Sequence, residues 1–92
     1  MNTNILYPFP KITPIYPEDL RIFIKNEFIK KFGEGNLIDV KVTTYPNEYS
    51  ADIIISEKDE AVLKFASTLR HLFVDNGLSV ILLVRVKDKY YL

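Results

Sequence analysis

The chain has no cysteine and only one histidine. Without thiolates there is neither a disulfide framework nor a thiolate metal site, and one imidazole is too few for a structural zinc centre. Net charge is missing as well: 12 Lys and Arg balance 12 Asp and Glu. Duplex nucleic-acid binders usually carry a positive footprint, because counterion release from phosphates drives their binding. A neutral total argues against that class, although a local basic patch can hide inside it. The longest apolar run, Val80 to Val84, is far too short to span a bilayer, so no membrane partner is expected. Met1-Asn2-Thr3-Asn4 has neither the basic nor the apolar region of a signal peptide, which makes a cytoplasmic protein the expectation. Gly-x-Ser-x-Gly, P-loop, dinucleotide and His-Glu-x-x-His patterns are all missing.

What is present fits one folded unit over residues 1–92. The 48% hydrophobic and 26% charged residues are the balance of an ordinary globular chain and not of a disordered one. At this length folding removes roughly 10,000 Å² from water, enough for one core.

A helix-then-strand unit occurs twice, 41 residues apart. Leu20, Ile24, Phe28 and Phe32 align with Ala61, Phe65, Leu69 and Phe73; Gly35-Asn36 answers Asn76-Gly77; Leu37, Val40 and Val42 answer Leu78, Ile81 and Leu83. The first helix is expected from Pro17 to Phe32, opened by a proline whose missing N–H would be unpaired there anyway and closed by Gly33 and Gly35. The second is expected from about Glu57 to Asp75 with Ser56 as N-cap. Its apolar stripe faces a sheet.

Between the helices the pattern predicts a hairpin, Leu37–Tyr45 with Tyr49–Ser56, turning at Pro46-Asn47. Paired numbers that sum to 93 set Ile38 against Ile55, Val40 against Ile53 and Val42 against Ala51 on one apolar face. Lys41 then meets Asp52, and Thr43 meets Ser50, on the other. The last strand, Leu78–Val86, turns Val80, Leu82, Val84 and Val86 to the helices. Ile81, Leu83 and Ile54 are left on the opposite face, and a strand apolar on both sides is usually covered on both.

Residues 1–16 form a proline-rich, extended arm that still carries Ile5, Leu6, Tyr7, Phe9, Ile12 and Ile15. Either this arm or a second chain is expected to cover the second sheet face. The fold class is therefore α+β: a two-layer sandwich with an αββαβ core and two helices on one face of a mixed or antiparallel sheet. It becomes βαββαβ and ferredoxin-like if the arm supplies a first strand. In outline the three-stranded arrangement resembles KH-like RNA-binding domains, but their Gly-x-x-Gly loop is absent after Ser56, and no family is assigned.

The expected function is a small non-enzymatic module for protein interaction or self-assembly, homodimeric at its simplest, using the apolar sheet face and the arm. Candidate interaction residues are Phe9, Phe23, Ile54, Ile81 and Leu83, because contiguous exposed apolar surface marks a contact. The alternative is binding of RNA or single-stranded nucleic acid through Arg21, Lys25, Lys30 and Lys31 on the first helix and Lys87 and Tyr90 at the C-terminus, where aromatics beside cations can stack bases and hold phosphates. No cofactor, metal site or catalytic residue is expected. His71, with Asp75 one turn on, reads as a surface ion pair near a helix C-terminus.

Overall fold

The fold comes from a computed structural model, which describes residues 7–9 and 15–87. The elements run α1 (Pro17–Phe32), β1 (Leu37–Tyr45), β2 (Glu48–Ile55), α2 (Glu60–Asp75) and β3 (Val80–Val86). The sheet is mixed, in the order β1-β2-β3. β1 and β2 are antiparallel, and β2 and β3 are parallel. Both helices lie on one face. The molecule is 16 Å across its thinnest direction, the depth of one sheet and one helix layer.

α1 begins and ends where the sequence expects. Pro17 opens it, Glu18 and Asp19 occupy the positive end, and Lys30 and Lys31 the negative end. Gly33, at φ +78°, donates its N–H to Ile29 C=O at 2.7 Å. α2 starts later than expected. Its N-cap is Asp59, whose carboxylate accepts from Ala61 N–H at 2.9 Å. Ser56 is engaged elsewhere: its hydroxyl and N–H donate to Asn36 Oδ1, as does Glu57 N–H, while Asn36 Nδ2 donates to Glu57 C=O. That knot ties the entrance of β1 to the exit of β2. α2 closes in a Schellman motif, with Leu78 N–H donating to Phe73 C=O at 2.8 Å, Gly77 N–H to Val74 C=O at 2.9 Å, and Gly77 at φ +80°.

The hairpin register holds from Val40↔Ile53 through Lys41↔Asp52, Val42↔Ala51 and Thr43↔Ser50 to Thr44↔Tyr49. It fails at the far end. A bulge between Leu37 and Asp39 brings Leu37, not Ile38, opposite Ile55. One extra residue reverses which side chains point inward, so Ile38 is exposed.

The core lies between the layers. Leu20, Ile24 and Phe28 of α1 and Val62, Phe65, Ala66, Leu69 and Phe73 of α2 meet Val40, Ala51, Ile53, Ile55 and Val80 of the sheet. Ala61, the aligned counterpart of Leu20, is exposed, and Val62 takes the inward position. The helices run antiparallel, because the end of α1 meets the start of α2 (Phe28 and Phe65 ring centroids 5.0 Å apart) and the reverse holds for Phe23 and Phe73 (5.9 Å).

β2 and β3 are hydrogen-bonded neighbours along their length, which leaves no room for a central strand between them. The arrangement is αββαβ, not the ferredoxin-like order.

Candidate interaction surface

The described part of the arm packs on the helix layer. Tyr7 meets Phe9 and Phe73 edge to face, and Phe9 meets Phe23 at 5.4 Å. Ile15 is buried, and Tyr49 holds it by both backbone groups. The Tyr49 hydroxyl donates to Ile15 C=O at 2.7 Å and accepts from Ile15 N–H at 3.2 Å. Phe9 and Phe23 are therefore half-buried in an aromatic cluster beside the helices, not on the second sheet face. Burial pushes the Tyr7 phenol pKa up, and the neighbouring Tyr49 adds to the rise. Ile5, Leu6 and Ile12 lie outside the described residues.

The second face of the sheet follows from strand alternation. It carries Asp39, Lys41 and Thr43 on β1, Ser50, Asp52 and Ile54 on β2, and Ile81, Leu83 and Arg85 on β3. Ile54 lies centrally, between ladder partners Asp39 and Arg85, and is only 2% exposed although it stands apart from the main core cluster. Ile81 and Leu83 are different, at 36% and 41% exposed, and Val86 follows at 39%. All three belong to one seven-residue strand, VILLVRV. Its single charge, Arg85, turns toward Asp52 at 3.3 Å. That approach is an ion pair without hydrogen-bond alignment, since the buried Asp52 Oδ1 has no hydrogen-bond partner.

The two outer edges of the sheet are unlike. β1 is marked by its bulge, by Asp39 and Lys41, and by Pro46 just beyond it, devices that discourage a further strand. β3 has none of these along Val80–Val84. Among the described residues it pairs on one side only.

The basic residues of α1 are not brought together. Arg21 makes a bidentate bond with Glu18, at 2.9 and 2.7 Å. Hydrogen bonding to that guanidinium holds the Glu18 carboxyl below the usual carboxylate range. Lys30 pairs with Glu27 at 3.1 Å, and Lys31 lies over the Phe65 ring. Lys25 lines a cleft of about 330 Å³ between α1 and β1 with Ile29, Glu34, Leu37 and Ile38. That lining holds no hydroxyl, thiol or imidazole and a single carboxylate, that of Glu34. Lys87 is exposed, and Tyr90 lies outside the described residues. His71 contacts the Ser67 carbonyl through Nδ1 at 2.9 Å, which engages that nitrogen in the helix backbone. No cluster of metal-ligating side chains occurs among the described residues, and no helix there is long and apolar enough to cross a membrane.

Compared with known protein families, curated proteins and solved structures, the chain matches none.

Two contributors were not visible in the sequence. Asn36 looks like an ordinary turn residue, and nothing local announces that it reaches Ser56 and Glu57. That β3 pairs on one side only among the described residues depends on which strands are neighbours, and composition does not specify that.

Proposed function

We propose that the chain is a non-enzymatic, cytoplasmic interaction module that associates with itself or with another protein through the β3 side of its sheet. The observation that carries this reading is the concentration of Ile81, Leu83 and Val86 on one strand whose outer edge has no partner among the described residues. Exposed apolar side chains scattered singly are normal on any protein. Three on one strand, beside a row of unpaired backbone donors and acceptors, form a template for a further strand. Phe9 and Phe23 contribute indirectly, by closing the end of the helix pair.

Sedimentation over a range of concentrations tests the reading, together with binding of a hydrophobic dye. The expected result is association that the double substitution Ile81→Lys, Leu83→Lys abolishes while the far-ultraviolet spectrum stays native, because neither side chain is part of the core. A wild-type chain that stays monomeric when concentrated, binds no dye and captures no protein partner contradicts it. The nucleic-acid alternative has less support, since Arg21, Lys30 and Lys31 already have intramolecular partners. A salt-sensitive shift with short RNA, lost on reversing Lys25 and Lys31, would favour that alternative.

A further inference from the structure

Building on the interaction reading, we infer that the partner of β3 is β3 of a second copy, paired antiparallel about a two-fold axis at Leu83. The backbone sets which groups are on offer. Tyr49 N–H donates to Ser79 C=O at 2.9 Å, and Lys87 N–H donates to Ile55 C=O at 2.8 Å. In a parallel ladder alternate residues turn both backbone groups to the same neighbour. Ser79, Ile81, Leu83, Arg85 and Lys87 therefore face β2, while Val80, Leu82, Val84 and Val86 direct N–H and C=O to the outer edge.

A two-fold centred on Leu83 sets Val80 against Val86 of the second copy and Leu82 against its Val84. Every outward N–H and C=O from Val80 to Val86 then finds a partner, because these are the hydrogen-bonded pairs of an antiparallel ladder. The side chains agree with that register. Val80, Leu82, Val84 and Val86 all lie on the helix side, so valine and leucine meet valine and leucine in continuation of the core. On the other side Leu83 meets its own copy, and Ile81 meets the stem of Arg85. The helices of both copies stay on the same side of a continuous six-stranded sheet.

Charge favours this occupant and this register. A chain with no net charge does not repel its copy at long range. The one charge on the strand is compensated within its own chain by Asp52. With the axis at Leu83 the two Arg85 residues are four positions apart along the ladder, about 14 Å, beyond the screening length of about 8–10 Å. Stacking the open faces against each other would instead bury Lys41, Asp52 and Arg85, at a desolvation cost that edge pairing avoids.

The absence of native cysteine makes the test clean. Directly opposed, non-hydrogen-bonded residues have Cα atoms about 4.5 Å apart, within the span a disulfide bridges. Leu83→Cys should oxidise to a covalent dimer of the full-length chain. Ile81→Cys should stay at background, because its own copy is about 14 Å away. Ile81→Cys mixed with Arg85→Cys should cross-link as a heterodimer. Cross-linking of Ile81→Cys to the same extent as Leu83→Cys overturns the register. Wild type that self-associates in sedimentation while Leu83→Cys fails to cross-link overturns the edge dimer but leaves the interaction reading standing. Absence of both association and cross-linking overturns the dimer, and capture of another protein then decides the broader reading. Cover of the same edge from within the chain would show as a monomer whose Leu83→Cys variant does not cross-link, and overturns the dimer.

Discussion

Arg85 Nε stands 3.3 Å from Asp52 Oδ1 across the parallel β2–β3 pair, and the ladder partner of Arg85 is the buried Ile54. The arginine thus has two tasks on the face opposite the helices. Its head faces an otherwise unpartnered carboxylate oxygen, and its stem runs beside Ile54. The ion pair is partly exposed and contributes less than about 1 kcal/mol. Cover of apolar surface by the stem adds a comparable amount. Arg85→Ala should therefore destabilise the fold by about 1–2 kcal/mol in urea denaturation, and Arg85→Met by about half as much. Equal losses in the two variants would show that the stem covers nothing.

Asn36 gives a second prediction. Its side chain accepts from Ser56 and Glu57 and donates to Glu57. Asn36→Ala removes the knot and leaves those groups to water, since the site is exposed. The expected cost is about 1–2 kcal/mol, or a fall in Tm on the order of 4–16 °C for a domain of this size. A melting curve unchanged by the substitution would mean that solvent replaces the bonds without loss.

Much of this architecture was legible because side-chain alternation is a strong constraint. Lys41 opposite Asp52 and Thr43 opposite Ser50 could be set by matching apolar to apolar, and the same parity left Ile81 and Leu83 outward. Ile38 escaped that logic because a bulge changes parity without a sequence signal of its own. Ser56 and Asp59 are both good N-cap residues three positions apart, and only the competing claim of Asn36 on Ser56 decides between them. Phe9 on Phe23 was not legible, because the arm has no periodicity from which to read a contact. The parallel pairing of β2 with β3 is a tertiary choice.

Gly77 supplies a third prediction. At φ +80° it holds the Schellman turn that delivers the chain from α2 into β3, and nothing lies within 4 Å of where a Cβ would stand. The cost of Gly77→Ala is therefore conformational, about 1 kcal/mol, and should appear as a lower denaturation midpoint with an unchanged m-value. Gly35 has no positive φ, so Gly35→Ala should cost less.

Tyr7 makes stability depend on alkaline pH. Burial raises its pKa above the ordinary 10.0, with Tyr49 as the lesser cause. The folded chain then holds the phenol proton more tightly than the unfolded chain. The contribution is complete below pH 10.0 and is lost as pH rises from there through the folded-state pKa. Tyr7→Phe should show a shallower fall in stability across that window. An identical alkaline limb would place Tyr7 in water.

Residue-resolved amide exchange along β3, followed as a function of protein concentration, tests the central claim most directly. Ile81 and Leu83 turn their N–H groups to β2 and should be protected at every concentration. Leu82, Val84 and Val86 turn theirs to the outer edge, exchanging fast when the chain is dilute and slowing as it is concentrated. If those three amides exchange fast at every concentration, the β3 edge has no partner strand; if they are equally protected at every dilution, the edge is covered from within the chain and the second copy is excluded.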